Sequence, residues 1–288
     1  MNATDTAAAP VLSFFLGSGA AARYCLYYPP AGRCRGAYQY VAPFAEEMNK
    51  ARRMAALQAR RMAGRGYAVL CMDLHGCGDS AGDFAQARWD GWLDDLARGA
   101  QWLHQRLGEA LPQAPGLWGL RLGALLALDY AQRGGTTPAD LLLWQPSLNG
   151  SAALTQFLRL KVAGDMLSGE GAQGGGTNAL RAAFARGEAL EIAGYTVAPA
   201  LALAIDALDA ARLPAPACPV RWFELASKED QPLTPAASRM LAAWQAAGAT
   251  ATAQSVAGPQ FWATQEISTS PALLDATDAV PLDACHAA

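Results

Sequence analysis

Charge is scarce in this sequence. Asp, Glu, Lys and Arg make up 16% of its 288 residues, and the formal net charge is −3. So small an imbalance argues against a nucleic-acid or anionic-membrane partner. Histidine is scarcer: His75, His104 and His286 are the three in the chain, so any chemistry that needs an imidazole has only these to draw on. The six cysteines include no Cys-x-x-Cys pair. That removes the usual spacing of a zinc site or redox dithiol and leaves small buried hydrophobes as their ordinary role. No segment reaches about 18 uninterrupted apolar residues, the length of a membrane span. The first apolar run, VLSFFL, is short and has no basic residue before it, unlike a secretory leader. The expectation is a soluble cytoplasmic protein without metal or cofactor.

Apolar residues are plentiful, at 52%, which suits a chain that buries one large core. The runs VLSFFL, RYCLYYP and YAVLCMDL have the length and composition of strands. PAGRCRGAYQ, between the second and third, reads as a loop, followed by a helix over about 43–63 with Pro43 in its first turn and Gly64 as its stop. Lys50, Arg52, Arg53, Arg60 and Arg61 give that helix a basic face, expected to be solvated, with Glu46 and Glu47 at its positive end. In WDGWLDDLARGAQWLHQRL, Trp89, Trp92, Leu93, Leu96 and Leu103 recur at helical spacing and mark a core stripe.

GLWGLRLGALLAL (116–128) then reads as strand, tight turn and helix, and DLLLWQPS as a further strand. Strands alternating with helices predict an α/β protein with a mostly parallel central sheet and helices on both faces. The alternation stops over 148–216, where helical segments flank the glycine-rich GEGAQGGGTN and no strand series is evident. This segment reads as a helical lid inserted into a single domain of 1–288. PVRWFELAS, a helix near 235–247, and ATAQSVAG resume the pattern.

Asp73-Leu74-His75-Gly76-Cys77-Gly78-Asp79-Ser80 after one strand, and Gly119-Leu120-Arg121-Leu122-Gly123 after another, together resemble the α/β-hydrolase superfamily. In the second motif a sharp strand-to-helix turn lifts one side chain above the sheet, and the free N–H groups of the following helix face any anion formed there. Arg121, Leu122 and Gly123 therefore make a candidate anion site. Arg121 occupies the place where the superfamily carries its nucleophile. A guanidinium stays protonated and has no lone pair to attack with. The resemblance implies an acid after PVRWFELA, where Asp230 fits and Glu229 is the second candidate. It also implies a histidine after the last strand, where Gly258-Pro259-Gln260-Phe261-Trp262 carries Gln260 instead. Asp230 alone matches the triad pattern. Arg121 is expected to pair with Asp230 or Glu229 across the emptied cavity, with a guanidinium reaching water as the alternative.

GLWGLRLGA, LLLWQPSLNG, LEIAGY and GPQFW further resemble the bacterial proteins called exosortase A system-associated hydrolase 2. That resemblance implies the α/β-hydrolase fold, a cytoplasmic setting and association with exopolysaccharide production; no catalytic residue transfers with it. Three functions stay open. The chain could be a degenerate hydrolase that binds a small or sugar-linked anionic ligand at Arg121. It could be an active ester or acyl hydrolase with a relocated nucleophile: Cys34, Cys77 beside His75, or Ser147. It could be an acyl- or glycosyl-transfer accessory that works only in complex with a partner, such as a protein of the exopolysaccharide system.

Overall fold

The structure, a computed structural model, describes residues 10–111, 113–133, 135–167 and 175–282. Cys285, His286 and the 169–174 part of the glycine-rich tract lie outside the described residues.

In chain order the strands are β1 (Leu12–Leu16), β2 (Arg23–Tyr28), β3 (Gly36–Val41), β4 (Tyr67–Met72), β5 (Gly116–Leu120), β6 (Leu141–Trp144), β7 (Leu190–Ile192), β8 (Tyr195–Val197), β9 (Val220–Ala226) and β10 (Ala251–Ala257). Eight of them form one sheet in the order β1-β2-β4-β3-β5-β6-β9-β10. β2 runs antiparallel to both β1 and β4, and every other pairing in that sheet is parallel. Parallel strands need cover on both faces. The helices α1 (Glu46–Gly64), α2 (Trp89–Leu107), α3 (Leu122–Arg133), α7 (Pro235–Ala246) and α8 (Pro271–Ala279) provide it, while α4 (Gly150–Leu167), α5 (Gly176–Ala185) and α6 (Pro199–Ala207) lie in the segment between β6 and β9 and pack on one another. α1 and α8 pack one face around Met54, Met62, Trp118 and Trp144; α2, α3 and α7 pack the other, and the stripe expected on α2 is buried along its length. No helix among the described residues is long and apolar enough to cross a membrane.

Two expectations need correction. The segment read as a loop, 30–39, runs into β3, which is buried throughout and paired to β4 and β5 in the middle of the sheet. Its core-facing Gln39, fully buried, interrupts the apolar signal that a central parallel strand normally carries. The segment between β6 and β9 does hold strands: β7 and β8 pair antiparallel through Ala193-Gly194, where Ala193 has φ 50 and Gly194 φ 83, the left-handed values of a tight hairpin turn. The basic face of α1 is solvated as expected, with Arg52, Arg53 and Arg60 exposed, and several of its arginines also find partners within the chain. Arg61 bonds Asp275 and Asp278 on α8, Arg65 also reaches Asp278, Arg52 holds Asp73, and the Arg60 guanidinium lies 5.8 Å from the centre of the Tyr28 ring. Chain separation hides such partners from a local reading.

Candidate functional site

The site begins with the turn between β5 and α3. Arg121 sits there at φ 56, a left-handed backbone that side-chain-bearing residues adopt only under external constraint. The constraint is visible. Its N–H donates to the Trp144 carbonyl at the end of β6, and its carbonyl accepts from the N–H groups of Ala124 and Ser147, all at 3.1 Å. The flanking glycines are sterically required, as the motif implies. A Cβ on Gly119 would meet the backbone of Ala124, and one on Gly123 would meet the carbonyl oxygens of Val41 and Ala42. Since those are backbone atoms of a central strand and its exit, Gly123→Ala is expected to cost at least the ~1–3 kcal/mol of an overpacked core. A lowered urea midpoint with unchanged slope would show it, and an unchanged midpoint would contradict it.

The Arg121 side chain does not reach Asp230 or Glu229, and it does not extend into water. It is 15% exposed and folds back into a pocket. Its Nε donates to Glu47 Oε1 at 3.3 Å and its Nη2 to Gln156 Oε1 at 2.8 Å, while the guanidinium carbon lies 5.4 Å from the Trp262 ring centre. These partners come from α1, α4 and the loop after β10, so the arginine joins the sheet's carboxyl edge to the segment between β6 and β9. Asp230, at φ 56, is exposed in the loop after β9, as is Glu229. β9 points its own buried carboxylate, Glu224, at the Thr234 N–H and hydroxyl, which starts α7.

The pocket measures about 140 Å³. Glu46, Glu47, Lys50 and Arg121 line it together with Ser147 and Gln156, and Phe157, Leu160, Ile205 and Trp262 contribute apolar wall. It lies at the carboxyl ends of the parallel strands, where open α/β sheets bind ligands. Burial pushes the Glu47 carboxyl above the ordinary carboxylate range; Arg121 pulls it back in part and Glu46 adds to the rise. Glu46 is raised as well, again chiefly by burial, and its Oε2 is buried with no hydrogen-bond partner. Leu122 opens α3, and the N–H groups of Leu122 and Gly123 have no acceptor a turn earlier, whereas that of Ala124 already donates to the Arg121 carbonyl.

The other sequence candidates separate into two groups. Ser147 lines the pocket, but Gln260, at the expected histidine position, is exposed. His75 and Cys77 belong to the Asp73–Ser80 loop, which the structure uses for support. Asp73 accepts from Arg52 and from the Asp79 N–H, the Ser80 hydroxyl donates to the Asp73 carbonyl, and the His75 N–H donates to Asp95 at 2.7 Å. The His75 ring packs over Gly82, and its Nδ1 is buried without a partner. The Cys77 thiol is pushed up to about 12 by burial, with Asp73 and Asp95 adding to it, which leaves almost no thiolate at neutral pH. Cys34 is half-buried and donates to the Gly36 carbonyl. None of the three cysteine or histidine candidates is in the pocket with Arg121.

The sequence alone does not mark Gln156 and Trp262 as members of this site, and it marks Glu46 and Glu47 only as helix-terminal charges and Lys50 only as part of a basic face. The signal was EEMNK at the exit of β3, which loses its meaning once β3 is read as a loop.

A family model described as serine aminopeptidase, S33 (Hydrolase_4) matches residues 46–175, under half of the chain. No curated protein sequence matches detectably. Solved structures resemble the chain over most of its length at low identity. DcsB in complex with its substrate analogue gives a TM-score of 0.60 at 14% identity, covering 93% of this chain and 97% of its own. Est1E from Butyrivibrio proteoclasticus gives 0.59 at 10% identity, covering 92% and 94%. A thermostable carboxyl esterase from Bacillus coagulans, in complex with glycerol, gives 0.56 at 14% identity, covering 86% and 90%. With the strand order above, these matches establish the α/β-hydrolase fold.

Proposed function

We propose that this α/β-hydrolase-fold chain has exchanged hydrolysis for binding, and that it holds a small anionic ligand at Arg121 beneath a lid formed by residues 148–216. The observation that carries the reading is the arginine's donor count. A guanidinium has five N–H donors; Arg121 gives one to Glu47 and one to Gln156, leaving three inside a pocket. A carboxylate, phosphate or acidic sugar can take two of them in parallel and accept from the start of α3 as well. Acyl transfer needs a nucleophile and a base in contact, and the two triad positions that would supply them carry Arg121 and Gln260. The resemblance to exosortase A system-associated hydrolase 2 supports a cytoplasmic role beside exopolysaccharide machinery, with a protein of that system as its partner.

Ser147 lines the same pocket and gives the alternative, an ester hydrolase with a relocated nucleophile, its one foothold. The test uses the full chain with 4-nitrophenyl acetate and butyrate, and calorimetry with 4-methylpentanoate and glucuronate. We expect no turnover above buffer, none restored in Arg121→Ser, and at least about tenfold weaker binding of the bound carboxylate in Arg121→Ala. Ester turnover that Ser147→Ala abolishes would replace this reading with the alternative.

A further inference from the structure

The charges around the pocket balance. Arg121 and Lys50 face Glu46 and Glu47, so a plain anion entering there brings an uncompensated negative charge close to two carboxylates that burial already disfavours. A ligand with one charge of each sign avoids that cost. Glu46 supplies the second observation: its Oε2 is buried at the pocket with no donor, and a buried acceptor left open is expensive unless something donates to it. A carboxyl group on the ligand cannot serve when ionised, because it only accepts. An ammonium can, and with three N–H donors it can address Glu46 and Glu47 together, whereas a hydroxyl has one to give. The remaining wall, Phe157, Leu160, Ile205 and Trp262, is apolar and favours a hydrocarbon side group.

We propose that the ligand is a free amino acid with an apolar side chain, its carboxylate on Arg121, its ammonium between Glu46 and Glu47, and its side chain against Phe157, Leu160 and Ile205. This inference rests on the anion-binding reading of Arg121 and adds the donor end and the apolar end.

The test is a ladder of four probes titrated calorimetrically into the full chain: L-leucine, its deaminated analogue 4-methylpentanoate, its decarboxylated analogue 3-methylbutylamine, and 2-hydroxy-4-methylpentanoate. Leucine should bind about tenfold or more tighter than any of the other three. Glu46→Gln should bring leucine down to the level of 4-methylpentanoate without weakening 4-methylpentanoate itself. Glu46→Asp, which keeps the charge, should restore part of the preference. The wild-type ladder decides the matter even where a variant folds poorly, and a thermal melt of each variant identifies that case. If 4-methylpentanoate equals leucine, or leucine ignores Glu46→Gln, the inference fails while the anion reading stands. Equal binding of the hydroxy acid overturns the ammonium. If no carboxylate binds in an Arg121-dependent way, both fail.

Discussion

Asp95→Ala should cost about 3–5 kcal/mol of folding free energy, the range found when one partner of a buried ion pair is removed. Asp95 faces the sheet from α2 and is 1% exposed; its partner Arg23, on β2, is 7% exposed. Arg23 Nε lies 2.8 Å from each Asp95 oxygen, Arg98 reaches the same carboxylate at 3.3 Å, and the His75 N–H donates to it at 2.7 Å. One side chain thus ties a strand, a helix and the Asp73–Ser80 loop. Truncation strands a buried guanidinium and a backbone donor at once. Arg23→Met with Asp95→Leu removes the charged pair from both sides and should recover part of the loss, but the His75 N–H stays without its acceptor and holds back about 1–3 kcal/mol. Urea titration of the two variants measures this. A double variant as unstable as Asp95→Ala would mean that packing, and not the stranded charge, sets the cost. The tie also explains why His75 and Cys77 suggested chemistry: the loop is dense in polar residues because it is anchored, and the anchoring buries the thiol.

What was legible in the sequence follows the range of the interaction that fixes each feature. α2 is readable to its ends, because a stripe of tryptophan and leucine at helical spacing is a local signal and its burial follows from it. The turn at Arg121 is equally local. Glycines on either side of one residue, between a strand and a helix, leave few other conformations, and the positive φ follows. β3 escaped because its identity depends on neighbours: GAYQYV, with a glycine at its head and Gln39 at its centre, becomes a strand by pairing between β4 and β5. The partner of Arg121 escaped for the same reason. The triad pattern pointed to Asp230 across the cavity. The exit of β3 instead brings the start of α1 alongside the elbow, so Glu47, much closer than the distant loop, takes the guanidinium. With 30–39 taken as a loop, nothing in the sequence places the start of α1 beside the elbow.

Glu47→Gln should raise the affinity of Arg121 for a carboxylate such as 4-methylpentanoate by about ten- to hundredfold near neutral pH. A unit charge roughly 6 Å away is worth about 1.4–2.8 kcal/mol at the effective dielectric of a half-buried site. In the native chain Glu47 holds Arg121 Nε at 3.3 Å and competes with any incoming anion. The groups that face it are Arg121 from the elbow and Glu46 and Lys50 from its own helix; burial outweighs the arginine, so its carboxyl already titrates above the ordinary range. An anion bound to Arg121 weakens the one attraction that lowers it and adds a repulsion, so the carboxyl rises further. The complex therefore holds more protons than the free protein, binding takes up a proton, and affinity falls as pH rises through that raised range. Calorimetry in buffers of different ionisation enthalpy reads the uptake directly. Glu47→Gln should abolish most of it and flatten the pH profile, the residue coming from Glu46. An affinity that grows with pH, or a glutamine variant with the native slope, would show that Glu47 does not compete with the ligand for Arg121.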